Sequence, residues 1–265
     1  MTSVGDIAAY IEQLAPVKLA EEWDNVGLLV GDADTEVGKV LLALDMDEYV
    51  AQEAADIGAQ LVVTHHPVMF HAINRLTEDD PQQRALRILV QNGISHYAAH
   101  TNLDVAAGGL NDYMAYLLGL KNTQVLDVTA TEDGVKQGYG RFCELEQPVA
   151  VKDMLEKCKE VFHISGVKFV GFPDRLVRRI AVNTGGGAGS IGRCYEEDID
   201  LFITGDIKYT VAREAYERGL SVIDAGHYDT EIIVMDFMER YLGNRFGELE
   251  LVQSEENIRV LQTYL

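Results

Sequence analysis

The sequence predicts an α/β protein whose strands pair largely in parallel. Short apolar runs rich in β-branched residues alternate with amphipathic stretches along most of the 265 residues. This alternation is typical of parallel sheets covered by helices. A turn-rich polar segment at 121–136 is expected to be a surface connection, and it divides the chain into two α/β lobes, 1–125 and 126–265.

The predicted strands are short apolar runs bounded by turn or helix signals. They cover residues 40–44, 60–64, 94–98, 139–145, 168–172, 179–184, 200–204, 221–225 and 257–262. The strand at 139–145 interrupts the alternation with helices, so we expect it to pair antiparallel with its neighbours. The sheets are therefore expected to be mixed, although mostly parallel.

The predicted helices carry recognisable signals at their ends. Ser3 is the expected N-cap of the first helix, and Pro81 opens a helix that ends at Gly93. The remaining helices are expected at 47–57, 151–162, 211–219 and 227–241, and a short one is expected to follow the glycine-rich turn and to end in the acidic cluster at 196–198.

Composition and charge narrow the function classes. The chain carries 22 Lys and Arg against 43 Asp and Glu, a net charge of −21. Charge of this sign repels phosphate backbones, which argues against general nucleic-acid binding. We expect neither a targeting signal nor a membrane span. Cys143, Cys158 and Cys194 predict buried, reduced thiols, so a cytoplasmic protein is expected.

Two adjacent histidines end one of the predicted strands. His65 and His66 follow the apolar run 61–64, and Pro67 comes next. Neighbouring residues of a strand point to opposite faces, but Pro67 ends the strand there. A kinked exit is expected to turn both imidazoles inward.

Two further strands are followed by an imidazole and a carboxylate. His100 and Asp104 are expected in a loop, whereas His227 and Glu231 share one face of a helix. Because ligands bind at the carboxyl ends of strands in α/β sheets, we expect the three groups to meet at one edge. The other histidines are interpreted as ordinary core or surface residues: His71, His96 and His163.

Three histidines and two carboxylates exceed what one structural zinc ion needs. They suit two metal ions that share a bridging carboxylate and keep open positions for water. Mixed nitrogen and oxygen donors without thiolate fit Zn²⁺, Fe²⁺, Mn²⁺ or Co²⁺. The sequence therefore predicts a dinuclear centre at the ends of the strands.

A glycine-rich turn offers a rival interpretation. Gly187, Gly189 and Gly192 form a G-x-G-x-x-G pattern after a predicted strand, and Asp206 comes nineteen residues after Gly187. This is the dinucleotide-binding fingerprint, but its helix is short and it leaves the histidines unexplained. A tight turn for close packing, or a backbone cradle for a phosphate or carboxylate, are the other interpretations.

Five ordered motifs resemble one known family. They lie at 22–28, 63–67, 99–104, 203–209 and 223–227, the last with Glu231. Together they resemble the NIF-three-like dinuclear metal-centre family, whose members are often described as type 2 GTP cyclohydrolase I homologues. The resemblance covers roughly residues 3 to 262.

The resemblance implies two similar α/β lobes, a homohexamer built as a trimer of dimers, and two divalent metal ions per subunit. The implied ligands are His65, His66, Asp104, His227 and Glu231, with Glu231 as the bridge. It places His100 beside the site. The large domain that some members carry is not expected here, and relatives often have Cys near the Asn183–Thr184 position, so no ligand role is assigned to the turn at Gly185–Gly189.

The reaction class expected of such a centre is metal-assisted hydrolysis of a nucleotide-like or other anionic small molecule. Lys208 could pair with an anionic substrate group, and Asp206 could assist proton transfer. Two alternatives stay open. One is a metal-binding or regulatory hexamer without catalysis, and the other is a dinucleotide-binding protein that uses the glycine turn.

Overall fold

Two sheets organise residues 1–262, the part of the chain that the computed structural model describes. The first unit comprises Met1–Leu103 and Val234–Ile258, and the second comprises Asp104–Ile233 with residues 259–262. This division differs from the expected single cut near residue 125, because the segment after residue 233 returns to the first sheet.

Strands and helices alternate along the chain as expected for an α/β protein. The strands are β1 (Gly27–Val30), β2 (Lys39–Ala43), β3 (Leu61–Thr64), β4 (Ser95–Ala98), β5 (Gln124–Glu132), β6 (Val135–Ala150), β7 (Lys168–Val170), β8 (Leu176–Val182), β9 (Leu201–Thr204), β10 (Ser221–Asp224) and β11 (Glu250–Gln253). The α-helices are α1 (Val4–Leu14), α2 (Glu48–Asp56), α3 (Pro81–Asn92), α4 (Thr101–Val105), α5 (Leu110–Leu117), α6 (Val151–Phe162), α7 (Ile191–Glu196), α8 (Tyr209–Arg218), α9 (His227–Glu231) and α10 (Val234–Gly243).

The first sheet is largely parallel and has the strand order β1-β4-β3-β2-β11. Strands β4, β3, β2 and β11 run parallel, and β1 lies antiparallel at the edge beside β4. Every residue of β3 and β4 is buried, which is why β3 appears in the sequence as a continuous apolar run rather than an alternating one.

The helix signals of the first unit act as the sequence predicts. The Ser3 hydroxyl accepts a hydrogen bond from the Asp6 amide, and the Asp6 carboxylate accepts one from the Ser3 amide. Asp80 caps α3, Pro81 is its first residue, and Gly93 ends it. These caps satisfy backbone groups that the helix itself leaves without partners.

The second sheet mixes the two directions, in the order β5-β6-β8-β9-β10-β7. The expected antiparallel strand, β6, pairs antiparallel with both β5 and β8. Strands β8, β9 and β10 run parallel, and β7 pairs antiparallel with β10. The prediction of an α/β fold with mixed sheets is therefore confirmed.

Two segments are built differently from the prediction. The segment 121–136 is not a simple surface connection, because β5 and β6 form a hairpin there with Asp133 and Gly134 at its turn, both at positive φ. The segment 257–262 forms no strand. Instead, the Asn257 side chain accepts hydrogen bonds from the backbone amides of Leu44 and Asp45.

The single helix expected over 227–241 is two helices, α9 and α10. They serve different cores, which explains the interruption. Thr230 and Glu231 are buried within the second unit, whereas α10 buries Val234, Met238 and Leu242 within the first.

The structure also bears on the predictions about buried cysteines and about membrane spans. Cys143, Cys158 and Cys194 are buried free thiols, as predicted, and burial raises the pKa of Cys158 to about 12. Within residues 1–262, no helix combines the length and the apolar character that a membrane span requires.

Candidate metal centre

Strand β3 ends in the two imidazoles that the sequence singles out. His65 is fully buried and His66 is partly exposed, and their ring centroids lie 5.1 Å apart. The Thr64 hydroxyl donates a hydrogen bond to the backbone carbonyl of His66 at 2.7 Å, which bends the chain just past the strand. The predicted kinked exit, with both rings on one side, is confirmed by this geometry.

His100, which follows β4, completes an imidazole cluster in the first unit. Its ring centroid lies 5.0 Å from that of His65 and 5.1 Å from that of His66. One nitrogen from each of the three rings lies within 4.8 Å of the others, so this group could hold a metal ion.

The Nδ1 atoms of the β3 histidines both face oxygen atoms. Nδ1 of His65 donates to the carbonyl of Ala99 at 2.8 Å, and Nδ1 of His66 donates to the Asp45 carboxylate at 2.7 Å. Because these oxygens can only accept, each Nδ1 carries the proton and each Nε2 carries the lone pair. Such partners fix the ring and tautomer of metal-binding histidines.

Asp24 orients His100 in the same way. Its side chain is 0% exposed and accepts from His100 Nδ1 at 3.0 Å, from the Thr101 amide at 3.1 Å and from the Asn25 amide at 2.8 Å. Burial alone raises the pKa of the Asp24 carboxyl, but the hydrogen bonds from His100 and Thr101 outweigh it and lower the pKa to about 2. Asp24 is therefore an ionised carboxylate at neutral pH.

Asp104 lies on the short helix α4 rather than in the expected loop. The Asp24 carboxylate stabilises the start of this helix, because it accepts a hydrogen bond from the amide of Thr101, the first residue of α4. The buried Asp104 carboxylate accepts from the Thr184 hydroxyl at 3.2 Å. Asn111 joins both residues, since its amide donates to the Asp104 carbonyl and its oxygen accepts from the Thr184 amide.

His227 and Glu231 face each other on α9, as their spacing predicts. His227 Nε2 lies 3.0 Å from a carboxylate oxygen of Glu231, and Nδ1 lies 2.8 Å from the Asp206 carboxylate. The hydrogen bond to Glu231 raises the pKa of His227 to about 9 despite partial burial. Asp206, a candidate for proton transfer, therefore contacts His227 directly and orients its ring.

Gly185 makes room for this pair. Its φ is +60°, and a Cβ there would lie 1.9 Å from Glu231 Oε1 and 3.1 Å from His227 Nε2. The Gly185 amide donates to the Thr230 hydroxyl at 2.9 Å, which keeps the turn against α9. Only a residue without a side chain fits between the turn and the carboxylate.

Gly187 is the glycine of the pattern that close packing requires, whereas a Cβ at Gly189 or Gly192 would meet nothing within 4 Å. A Cβ at Gly187 would lie 2.5 Å from Thr204 Oγ1, and the Gly187 amide already donates to that hydroxyl at 3.0 Å. The helix that follows, α7, has six residues. With two amides of the turn engaged by threonines, this geometry favours the tight-turn interpretation over a dinucleotide or phosphate cradle.

The expected meeting of three strand exits at one sheet edge is wrong in one respect. His65, His66 and His100 follow strands of the first sheet, whereas His227 follows β10 of the second. The sequence shows which predicted strands are followed by histidines, but it does not show which strands share a sheet.

The remaining sequence candidates are placed as follows. Lys208 is exposed, just after β9 and next to α8. His71 and His163 are exposed, and His96 is fully buried and hydrogen-bonded to Thr64. Burial lowers the pKa of His96 to about 3, so this ring is a neutral core residue.

The donor sets fit a divalent transition metal. They consist of imidazole nitrogen and carboxylate oxygen, with the histidine tautomers fixed by oxygen partners. The separation of 3.0 Å between His227 Nε2 and Glu231 is that of a hydrogen bond, and it brings an imidazole nitrogen and a carboxylate oxygen close enough to serve one ion. Because Gly185 has no side chain, the space in front of His227 and Glu231 stays open.

Three residues that contact the candidate ligands or His100 have no assigned role among the sequence predictions: Asp24, Asp45 and Gly185. Asp24 belongs to the motif at 22–28, but nothing local shows that its partner is His100, 76 positions away. Gly185 lies two residues before the pattern at 187–192, and its role depends on the α9 side chains opposite it.

Known proteins resemble this chain over nearly its full length. A relative from Clostridium perfringens named "GTP cyclohydrolase 1 type 2 homolog" is 34% identical over 254 residues and 96% of each chain. The protein "NGG1-interacting factor 3" of Saccharomyces cerevisiae is 32% identical over 243 residues, 83% of each.

Solved structures agree on the fold. A Bacillus cereus protein related to NIF3 superposes with a TM-score of 0.92 at 24% identity, covering 99% of each chain. Reduced HcgD from Methanocaldococcus jannaschii superposes with a TM-score of 0.81 at 33% identity, covering 96% of this chain and 98% of that one. The family model of Duf34/NIF3 (NGG1p interacting factor 3) matches residues 2–258, and the chain belongs to this family.

Proposed function

We propose that this protein binds two divalent metal ions and hydrolyses a nucleotide-like or other anionic small molecule. The metal is Zn²⁺, Fe²⁺, Mn²⁺ or Co²⁺. The proposed ligands are His65, His66, Asp104, His227 and Glu231, with Glu231 as the bridge.

One observation carries the proposal. Each proposed imidazole ligand has its Nδ1 bound to an oxygen acceptor: His65 to a carbonyl, His66 and His227 to carboxylates. This directs Nε2 of His65 and His66 toward a metal, and a metal bound at His227 would replace the Nε2 proton that faces Glu231. Oxygen partners on the other ring nitrogen are typical of metal-binding histidines. A histidine that only fills a core does not require an oxygen acceptor at the same ring nitrogen each time. Here all three proposed histidine ligands have one at Nδ1.

Two divalent ions, when bound, supply a Lewis acid and a route to hydroxide near neutral pH. The protein's own groups then divide the remaining tasks. Asp45 and Asp206 hold the ligand rings, Asp24 holds His100, and His100 accepts or donates a proton at its Nε2. Lys208 pairs with the anionic part of the substrate.

The names of the relatives support the reaction class. The Clostridium perfringens relative is named as a homologue of a GTP cyclohydrolase, a name that denotes hydrolysis of a ring in a nucleotide. We extend this class to the present chain as hydrolysis of a nucleotide-like or anionic compound. We also propose that the protein acts in the cytoplasm, in line with its reduced thiols.

Metal analysis of protein purified without chelator, followed by a screen of metabolites for hydrolysis, tests the proposal. We expect about two metal equivalents per chain and turnover of at least one anionic substrate. Less than about half an equivalent after reconstitution with each of the four metals contradicts the dinuclear centre. Two bound metals without any hydrolysis would instead support the metal-binding or regulatory alternative.

The bridge assignment has its own test. Glu231→Gln keeps the shape of the side chain but removes the charge that offsets two dications, so both metals should be lost. Asp104→Asn and His227→Ala should each cost mainly one metal, and His96→Ala should cost none. Circular dichroism controls for folding, because a core of this size does not depend on metal. Two full equivalents retained by Glu231→Gln would exclude the bridge.

The family resemblance also leads us to propose a homohexamer. Its mass should be near six times 29.3 kDa. Light scattering after size exclusion measures this mass directly. A monomer over a wide range of concentrations contradicts the proposal.

A further inference from the structure

Two exposed aromatic side chains lie beside the imidazole cluster. Trp23, the only tryptophan of the chain, is 60% exposed, and Phe70 is 37% exposed. Exposure alone is common among the large apolar side chains of residues 1–262, but these two rings also lie next to a candidate site.

Both rings contact the same imidazole. The centroid of Trp23 lies 5.9 Å from that of His100 with an angle of 75° between the rings, and the centroid of Phe70 lies 5.6 Å away at 77°. These are edge-to-face contacts of the kind that aromatic rings prefer. His100 in turn lies against His65 and His66, so the aromatic pair adjoins the proposed metal ligands.

The segments that carry the two rings are fixed to each other. The Asn25 side-chain amide donates to the Met69 carbonyl at 2.7 Å, which joins the segment that carries Trp23 to the segment that carries Phe70. Asp24, between Trp23 and Asn25, is anchored by His100 and Thr101. A surface held in this way is preorganised, and binding to it costs less conformational entropy.

The size of the exposed surface favours a small ligand. Two partly exposed rings offer on the order of 200 Å² of aromatic surface. A stable protein interface needs about 800 Å² from each partner. A flat ring of a small molecule, in contrast, is contacted over most of its face by one or two aromatic side chains.

We propose that Trp23, Phe70 and His100, here called the aromatic bracket, hold a planar aromatic ring of the substrate. This inference rests on the proposed function and narrows it, since it favours substrates that carry a nucleobase-like heterocycle over phosphorylated sugars and other anions without a ring. It assigns Trp23 and Phe70 to binding of the substrate and leaves the metal ligands unchanged.

Equilibrium dialysis of the metal-loaded full-length chain tests the bracket. The probes are adenosine and guanosine 5′-monophosphate, and ribose 5-phosphate is the matched control that lacks the ring. We expect at least one nucleotide to bind about tenfold more tightly than ribose 5-phosphate, in line with the contribution of a stacked base. The fluorescence of Trp23 should change on nucleotide binding and not with ribose 5-phosphate.

Variants separate the bracket from general effects. Trp23→Ala and Phe70→Ala should each weaken nucleotide binding about tenfold and leave ribose 5-phosphate binding unchanged, whereas Trp23→Phe should retain most of the affinity. Tyr49→Ala is the matched control, because Tyr49 is also 60% exposed but lies on α2. It should leave every affinity at the wild-type value.

Metal content and molecular mass distinguish a failure of the aromatic bracket from a failure of the proposed metal centre. If the wild-type chain binds two metals but neither nucleotide at millimolar concentration, or binds ribose 5-phosphate equally well, the bracket is wrong and the proposed metal centre stands. If Trp23→Ala leaves nucleotide affinity unchanged but changes the mass measured by light scattering, the rings belong to an interface between copies. A wild-type chain that binds no metal after reconstitution would contradict the proposed function itself.

Discussion

The imidazole cluster of the first unit and the histidine–glutamate pair of the second unit are held by different means. His65, His66 and His100 follow strand ends, and oxygen acceptors outside the cluster fix their rings. The His227 ring is also fixed by a carboxylate, that of Asp206, but the pair lies in addition against a glycine turn that leaves no room for a side chain. The first arrangement depends on hydrogen bonds alone, whereas the second depends on shape as well, so they should respond differently to substitution.

Gly185→Ala should have the largest effect. The added methyl group would collide with Glu231 and strain a residue at positive φ, a conformation that costs L-residues about 1–2 kcal/mol. We expect the Glu231 carboxylate to be displaced and metal affinity to fall at least about a hundredfold. Elemental analysis of folded protein measures the loss.

Gly189→Ala is the matched control for this prediction. It lies four residues along the same turn, and a Cβ there meets nothing within 4 Å. The variant should keep the wild-type metal content and circular dichroism. Equal losses in both variants would mean that the turn tolerates no change anywhere, and the role of shape at Gly185 would be wrong.

The carboxylates that face the histidines allow a direct comparison of the two units. Asp45→Asn removes the charge beside His66, and Asp206→Asn removes it beside His227. We expect each to lower metal affinity about 10- to 100-fold, because an amide no longer fixes the tautomer. Competition with a chromogenic chelator measures both. An unchanged affinity in either variant would contradict the orienting role of that carboxylate.

Asp24→Asn should act mainly on stability. Because the pKa of Asp24 is about 2 in the folded protein and 3.8 for an unperturbed aspartate side chain, ionised Asp24 contributes about 2 kcal/mol above pH 4. This contribution is lost as the pH falls from about 4 to 2. Denaturant unfolding should therefore show a difference between variant and wild type at pH 7 that narrows towards pH 3. A difference independent of pH would contradict this account.

Thr184→Val should have the smallest effect. It removes one hydrogen bond to the Asp104 carboxylate, which is worth about 1 kcal/mol. Metal affinity should fall only a few-fold, and Thr184→Ser, which keeps the hydroxyl, should restore it. If Thr184→Val lost a full equivalent of metal, the hydroxyl would be acting as more than a support for Asp104.

Local signals predicted much of the fold and the chemistry. Caps such as Ser3, Pro81 and Gly93 define helix ends within a few residues of sequence, and Pro67 forces the exit at His66. The hairpin of β5 and β6 was missed because most residues of β5 are only partly buried or exposed, which leaves no alternation to detect. Only the Asp133–Gly134 turn marked it.

The rest depends on contacts between distant residues. Which strands share a sheet is decided by packing, so the sequence could not place His227 and His100 on different sheets. Likewise, Asp24 reaches His100 across 76 positions, and Gly185 is required because of Glu231. The family motifs indicated which residues matter, but the reason for each became visible only in three dimensions.

The return of the chain to the first sheet has a consequence for biosynthesis. Strand β11 pairs in parallel with β2, roughly 200 residues earlier, so this strand pair forms only after the second unit has been translated. The second unit, in contrast, is nearly continuous from Asp104 to Ile233. Before β11 emerges from the ribosome, the edge of β2 offers unpaired backbone groups to other nascent chains. The slow step of refolding should therefore be the docking of residues 234–258, and aggregation that competes with it should increase with protein concentration.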